Sequence, residues 1–323
     1  MSSGANPLIV ILGPTGSGKS QLSLAIARRW DGEIVNCDSV QTYRGFDLGS
    51  AKLAPEQREG ITHHLLDIAG PGDEMTAGDY SRVARLTLAR ISARGKLPIV
   101  SGGTGFYLRA LLLGFSPAPR RHDEYRARLT RIARHRPSSL HFLLRRADAL
   151  AAKQIHAHDL QKLIRALEIA HLAQEKTSDV QGRPRDPLSG YHILKIGLNP
   201  DRSALVNALN RRAATIFEGG LLEETKRLLS EGYARDSKPM QSLGYRQATC
   251  VLWGEQSLEK AIEDYRHKTR QYAKRQMTWF RAEPDVNWLH GFGTEPNICQ
   301  QAITLIADFL ARIRDPRAKQ GLD

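Results

Sequence analysis

The sequence contains few cysteines and no long apolar run. Its 323 residues include only three cysteines, Cys37, Cys250 and Cys299, which lie far apart. This spacing excludes a disulfide framework and a zinc site built on paired thiolates. No apolar stretch approaches the roughly 20 residues that a membrane-spanning helix requires, and the opening MSSGANP does not resemble a secretory signal. We therefore expect a cytoplasmic protein that does not associate with membranes.

The chain has fewer acidic than basic residues, and the difference varies along its length. There are 34 Asp and Glu against 47 Lys and Arg, a formal net charge of +13. Residues 120–186 carry a net charge of +7, compared with +2 for residues 1–119 and +4 for residues 187–323. Positive charge concentrated in one segment indicates a surface that binds a polyanion such as nucleic acid, although a solvated basic face remains the alternative.

A phosphate-binding loop is indicated near the start of the chain. The stretch GPTGSGKS, residues 13–20, follows the apolar run 8–12 and precedes a helical pattern over 21–27. This is the spacing of a P-loop, in which glycines allow backbone N–H groups to face an anion. Lys19 would add a point charge and Ser20 a hydroxyl group suited to Mg²⁺. The residues predicted to bind the phosphates are Gly13, Pro14, Thr15, Gly16, Ser17, Gly18, Lys19 and Ser20.

Short apolar runs alternate with helical patterns through the first part of the chain. The runs at 8–12, 34–37 and 97–101 predict buried parallel strands, and residues 191–198 predict a further strand. This alternation is typical of an α/β fold with a doubly wound parallel sheet, here of the P-loop NTPase-like kind. Ligands of such folds bind beyond the carboxyl ends of the strands. We therefore expect the loops that follow the first three strands to form the site.

A proline-containing tract at 115–125 interrupts this alternation. Helical periodicity follows it to about residue 178, and a segment rich in turn-forming residues precedes the strand at 191–198. We predict that residues 1–119 form the first part of the P-loop core and residues 120–186 an inserted basic helical domain. Residues 187–323 would complete the core and add C-terminal helices.

Two features at the predicted carboxyl edge could carry chemistry. Asp38 follows the strand that ends at Cys37, whereas the strand 97–100 ends in Ser-Gly-Gly-Thr and lacks the acidic residue that NTPases usually have there. A lone loop Asp is often a turn former. Opposite a P-loop, however, it could bind metal or accept a proton from the group that attacks a phosphorylated substrate. The glycines at 102–105 could form either a tight turn or a ligand contact.

Taken together, these motifs resemble the tRNA dimethylallyltransferase (isopentenylpyrophosphate transferase) family of bacterial type. The resemblance reaches to about residue 290, with small departures at Gly16, where alanine is usual, and Lys162, where arginine is common. The matching segments, in family order, are GPTGSGKS, NCDSVQTYRGFDLGSAK, HHLLDI, PIVSGGTGFYLRALL, DLQKLIRALE, SLGYRQ and TRQYAKRQMTWFR.

The resemblance implies a reaction and its participants. The family transfers a dimethylallyl group from dimethylallyl diphosphate to the exocyclic amine of the adenosine 3′ to a tRNA anticodon. The P-loop would then hold dimethylallyl diphosphate with Mg²⁺, and the partner would be the anticodon stem-loop of tRNA bound by a monomer. A small-molecule P-loop kinase is an alternative that leaves the basic insertion unexplained. An RNA-binding ATPase switch is another alternative, but it would need an acidic residue at the strand end, which this sequence lacks.

The resemblance also assigns roles to particular residues. Asp38 matches the general base, Thr104 a transition-state or RNA contact, and Lys19 a catalytic cation of the P-loop. Arg126 matches an arginine that helps to hold the diphosphate substrate. The residues that fall on segments used against tRNA are Asp38, Ser39, Val40, Gln41, Thr104, Arg126, Gln161, Lys162, Leu163, Ile164, Arg165, Gln241, Ser242, Leu243, Gly244, Tyr245, Arg246, Lys274, Arg275 and Arg281.

Overall fold

The computed structural model describes residues 5–136 and 138–314. The chain divides into two compact units, one formed by the segments up to Leu111 and from Ser189 onward, the other by Leu112–Leu188. The segment 120–186, predicted as an insertion, lies inside the second unit. That unit contains helices and no strand among its described residues.

The first unit contains a parallel sheet of six strands in the order β3-β2-β4-β1-β5-β6. The parallel doubly wound α/β class predicted from the sequence is therefore confirmed, and the strand predicted at 191–198 is β5. The strands are β1 (Asn6–Leu12), β2 (Gly32–Asn36), β3 (His63–His64), β4 (Leu97–Ser101), β5 (Tyr191–Leu198) and β6 (Val286–Leu289).

Helices connect the strands and account for the remainder of both units. In chain order they are α1 (Lys19–Arg29), α2 (Ala77–Ala93), α3 (Gly105–Leu113), α4 (Asp123–His135), α5 (Ser139–Ala147), α6 (Ala149–Gln154), α7 (Leu160–Ala173), α8 (Thr177–Gly182), α9 (Arg202–Glu218), α10 (Leu221–Ser230), α11 (Tyr245–Leu252), α12 (Leu258–Arg281) and α13 (Pro296–Arg314). Within the described residues, none of these helices combines the length and apolarity needed to cross a membrane.

The central strand β1 explains why the first apolar run is continuous. Ile9 lies opposite Ile99 of β4 on one side and opposite Leu194 of β5 on the other. Side chains of α1 and α13, such as Leu22 and Ile298, pack in the same buried cluster as Ile9. A strand with partners on both edges and helices against the sheet has no solvent-facing side, so apolar residues do not alternate with polar ones.

Two strands of the sheet were not predicted from the sequence. β3 has only two residues, His63 and His64, and pairs with β2. β6 has four residues, Val286–Leu289, and pairs with β5. Elements this short do not show a recognisable apolar period, and their pairing depends on the neighbouring strand.

The second unit has its own hydrophobic core, formed where α4, α5 and α7 meet. Leu129 of α4, Leu140 and Leu144 of α5, and Leu163 and Ile164 of α7 are buried together there. Burial of one face of each helix leaves the polar residues between them on the opposite face. The positive charge of this segment is therefore carried largely by exposed side chains.

Candidate active site

The P-loop joins β1 to α1 with a backbone that requires glycine. Gly13, Gly16 and Gly18 have φ angles of +149°, +78° and +84°, a region that residues with a Cβ rarely adopt. A Cβ on Gly18 would also approach the backbone nitrogen of Gly293 to 2.9 Å. The loop therefore has the conformation expected of an anion-binding turn before a helix N-terminus.

Lys19, the first residue of α1, folds back over this loop. Its Nζ donates a hydrogen bond to the Pro14 carbonyl oxygen at 2.7 Å. Burial lowers the pKa of Lys19 to about 8, although the negative charge of Asp38 opposes the shift and the positive charge of Arg212 adds to it. The side chain is thus a cation held in a partly desolvated position, where its charge acts strongly on a bound anion.

Asp38 follows β2, and its main chain is fixed by Asn36. The Asn36 amide donates to the carbonyl oxygens of Asp38 and Leu65, both at 3.1 Å, and accepts from the Asp38 N–H at 3.0 Å. Oδ1 of Asp38 accepts from the N–H groups of Val40 at 2.9 Å and Gln41 at 3.4 Å. In the described part of the chain, Oδ2 accepts no hydrogen bond and remains available for a proton.

Thr104 ties the glycine turn after β4 to the Asp38 loop. Its Oγ1 accepts from the Ser39 N–H at 3.0 Å, and its own N–H donates to the Cys37 carbonyl oxygen at 3.1 Å. Burial raises the pKa of the neighbouring Cys37 thiol to about 12, so this cysteine stays protonated and is not a nucleophile. Tyr272 lines the cavity that these loops share with the P-loop, and its pKa is raised by burial and by the charge of Asp38.

The P-loop, the Asp38 loop and the glycine turn line one cavity of about 440 Å³. Gly13, Pro14 and Ser17 are buried and are not among its lining residues. Pro14 lacks an N–H group, and its carbonyl accepts from Lys19 instead. The predicted site residues that line the cavity are Thr15, Gly16, Gly18, Lys19, Ser20, Asp38 and Gln41.

Several cavity residues were missed in the sequence. Arg212 of α9 places Nη1 at 3.5 Å from Thr15 Oγ1. Lys52 lines the same cavity, where its Nζ pairs with Asp47 at 2.7 Å and Asp67 at 2.6 Å. Lys52 is the last residue of the block NCDSVQTYRGFDLGSAK, but no role was assigned to it from the sequence. Arg212 belongs to none of the quoted motifs, because it reaches the site from the distant helix α9. In the sequence, Arg212 shows merely as one basic residue within a helical pattern.

The predicted tRNA-binding segments of the first unit differ in exposure. Gln241, Arg246, Lys274, Arg275 and Arg281 are exposed, and Ser242 and Leu243 are partly exposed.

Two residues of the 241–246 segment are buried. Gly244 caps the start of α11, and the Tyr245 ring lies in the core with its hydroxyl bonded to Glu224 at 2.5 Å and to the Gly49 N–H at 3.1 Å. The structure therefore does not support a contact between the Tyr245 side chain and RNA, because the ring packs inside the protein.

The predicted residues of the second unit fall into three groups. Gln161 and Lys162 are exposed, whereas Leu163 and Ile164 are core residues, so RNA contact by these two side chains is likewise not supported.

Arg126 and Arg165 form the third group, since both pair with the fully buried Glu168. Their distances to its Oε2 are 3.2 Å and 2.5 Å. The prediction that Arg126 binds diphosphate stays a prediction.

Comparisons with known proteins identify relatives along nearly the whole chain. The family model described as IPP transferase matches residues 41–283. A tRNA dimethylallyltransferase of Solibacter usitatus is 51% identical over 306 residues, which is 95% of this chain and 100% of that protein. One from Koribacter versatilis is 52% identical over 300 residues, 93% of this chain and 97% of that protein.

Solved structures give the same result. The full-length tRNA isopentenylpyrophosphate transferase of Bacillus halodurans is 34% identical with a TM-score of 0.70, covering 97% of this chain and 98% of that one. A eukaryotic dimethylallyltransferase described as acting on tRNA is 28% identical with a TM-score of 0.83, covering 95% of this chain and 80% of that one. The core sheet and the helical unit thus both have counterparts of known structure.

Proposed function

Because this chain belongs to the IPP transferase family, we propose that it modifies tRNA by prenyl transfer. The dimethylallyl group of dimethylallyl diphosphate moves to the exocyclic amine of the adenosine 3′-adjacent to the anticodon. The products are N6-isopentenyladenosine and diphosphate. The observation that carries this proposal is that the P-loop cation Lys19 and the carboxylate of Asp38 line the same cavity.

The P-loop side of the cavity suits a diphosphate leaving group. Lys19, the backbone N–H groups at the start of α1 and Arg212 provide positive charge where negative charge grows as the allylic carbon–oxygen bond breaks. The partly buried site excludes much of the water that would otherwise screen these groups. β4 ends at Ser101 rather than at an acid, so the acidic group that activates hydrolytic water in many NTPases is absent at that strand end.

Asp38 suits the acceptor side. The adenine N6 nitrogen forms the new bond to the allylic carbon, and the proton that it loses goes to Oδ2 of Asp38. Oδ1 is already occupied by the Val40 and Gln41 N–H groups, which orients the carboxylate. The target adenine must leave the stack of the anticodon loop to reach this carboxylate, so we propose that the base is extruded on binding.

Mg²⁺ is proposed as a cofactor of the diphosphate. The Ser20 hydroxyl, which lines the cavity at the start of α1, would hold it. Among the described residues no group of three or more His, Cys, Asp or Glu side chains could hold a metal ion on its own. This fits Mg²⁺, which usually takes one or two protein ligands and completes its shell with phosphate oxygens and water. When bound, the ion would neutralise charge on the leaving diphosphate.

The proposed state of the enzyme is a monomer in the cytoplasm. Each of the two units buries its own hydrophobic core within one chain, which supports folding without a second copy.

A direct assay tests the proposed function. The protein is incubated with unmodified tRNA, dimethylallyl diphosphate and Mg²⁺, and the nuclease digest of the tRNA is weighed by mass spectrometry. We expect an adenosine heavier by one isopentenyl group and no consumption of ATP in a parallel reaction. ATP hydrolysis in proportion to tRNA modification, or phosphate transfer to a small molecule without prenylation, would favour the kinase or ATPase alternatives.

A further inference from the structure

Gln276 on α12 connects two loops of the site although it belongs to neither. Its Oε1 accepts a hydrogen bond from the Thr15 N–H at 2.8 Å, and its Nε2 donates to the Gly103 carbonyl oxygen at 2.7 Å. The residue is only 5% exposed. One buried amide therefore uses its donor and its acceptor to join the P-loop to the glycine turn after β4.

Each of these loops carries a group assigned to the chemistry. The P-loop that contains Thr15 continues to Lys19, which faces the leaving diphosphate. The turn that contains Gly103 continues to Thr104, whose Oγ1 accepts from the Ser39 N–H beside Asp38. The two hydrogen bonds of Gln276, together with the peptide link from Gly103 to Thr104, thus connect the leaving-group side of the cavity to the proton-accepting side.

Close packing leaves little freedom to this arrangement. A Cβ on Gly103 would collide with the Gln276 amide, and a Cβ on Gly105 would collide with the Trp279 ring one turn further along α12. The glycines of this turn allow the helix to lie directly against the loop. The requirement for glycine here thus comes from the approach of α12, in addition to any contact with a ligand.

We propose that Gln276 is a positioning residue that fixes the separation between the diphosphate site and the Asp38–Thr104 pair, an inference that rests on the proposed prenyl transfer. Its amide is suited to this role because both of its bonds must form together. Methionine has a similar size but neither donates nor accepts strongly. A carboxylate could accept from Thr15 but would place a second oxygen against the Gly103 carbonyl oxygen.

Steady-state kinetics of Q276M test the proposal. We expect kcat to fall roughly 10- to 100-fold, since misplacing reacting groups by about 1 Å can cost that much. The KM for tRNA should stay within about threefold of the wild-type value, because Gln276 is 5% exposed and both polar atoms of its amide are already bonded to Thr15 and Gly103. The matched control is Q271M on the exposed side of α12, where the Gln271 amide bonds His267, and it should retain wild-type kinetics.

Q276E adds a signature that a merely structural role would not produce. A protonated glutamic acid has a carbonyl oxygen for the Thr15 N–H and an O–H for the Gly103 oxygen, so it reproduces both bonds of the amide. The ratio of Q276E to wild-type kcat should therefore rise as pH falls from 8.5 to 5.5. Thermal unfolding of each variant identifies any that do not fold, and the Q276M and Q276E results are compared only among folded proteins.

The outcomes distinguish a failure of the positioning role from a failure of the proposed function. An inactive wild-type protein would contradict the proposed function itself. An active wild-type protein with unchanged kcat in Q276M and a pH-independent ratio for Q276E would overturn the positioning role alone. A fall in kcat accompanied by an equal loss of tRNA affinity would also overturn it, since the amide would then act on RNA binding.

Discussion

The cavity of the first unit and the basic face of the second unit use charge in different ways. In the cavity, Lys19 at the start of α1 bonds Pro14, and Asp38 on the loop after β2 is held by Asn36. On α4 of the second unit, Arg131 and Arg134 are exposed, and no ion pair is found for either within the described residues. We expect the first arrangement to act on reacting atoms at one defined geometry, and the second to attract a polyanion without demanding one geometry.

This contrast also separates positioning from attraction among the arginines. Arg126 and Arg165, on the second unit's α4 and α7, are held by the buried Glu168. A buried carboxylate between two guanidinium groups fixes their direction. In this respect these two arginines resemble the cavity residues more than they resemble the exposed Arg131 and Arg134. Net charge alone would have grouped all of them together.

The largest effect is expected from Asp38→Asn. The amide keeps an oxygen for the Val40 N–H but cannot accept a proton, so kcat should fall roughly 10²- to 10⁴-fold with little change in donor affinity. Single-turnover prenylation and calorimetric binding of a non-reactive donor analogue measure the two quantities. Asp31→Asn, on an exposed carboxylate that pairs with Lys96, is the control. Near-normal turnover in the Asp38 variant would mean that this residue forms the turn but does not accept the proton.

Lys19→Met should have the next largest effect. It removes a cation that faces developing charge on the diphosphate, and losses of about 10²-fold in kcat are typical for such groups. Donor affinity should weaken as well, in contrast to the Asp38 variant. Lys96→Met, on the surface of the same unit, should change neither quantity. If the two lysine variants had the same kcat and the same donor affinity, the diphosphate would not bind beside Lys19.

A smaller effect is expected from pH. The pKa of Lys19 is lowered to about 8, so the lysine is charged below this pH and loses its proton above it. The kcat/KM for the donor should therefore be level up to about pH 7 and fall about tenfold per unit above pH 8. Lys19→Arg, which keeps its charge at these pH values, should lack this decline. A wild-type profile that stays level to pH 9.5 would mean that Lys19 keeps its proton over this range and would contradict the lowered pKa.

The smallest effect is expected from the double variant Arg131→Ala and Arg134→Ala. Loss of two exposed charges should weaken tRNA binding several-fold for tRNAs of different sequence and make the dependence of log K on log salt shallower by about 1 to 2. Filter binding over a salt series provides both values. Donor binding should not change.

The double variant Arg312→Ala and Arg314→Ala removes the same charge from α13 of the first unit and serves as its control. If both double variants bind tRNA with the same affinity, the basic face of α4 is merely solvated and does not contact tRNA.

The P-loop, the parallel α/β class and the position of Asp38 could all be predicted from the sequence alone. These features depend on residues close together in the chain: a glycine spacing, continuous apolar runs and an acid directly after a strand. The family-specific blocks added the reaction. The sequence also marked Arg131 and Arg134 as members of a basic segment, because charge can be counted without knowing the fold.

Which groups line the cavity together depends on tertiary packing and could not be predicted from the sequence. Thr15 and Gln276 are 261 positions apart, and Arg212 is 197 positions from Thr15. The packing of α9 and α12 against the loops brings them together, and no local pattern encodes that approach. Burial likewise separated Tyr245 in the core from exposed Arg246 beside it. Local sequence fixes backbone conformation through nearby residues, whereas contacts between distant segments depend on how the whole chain packs.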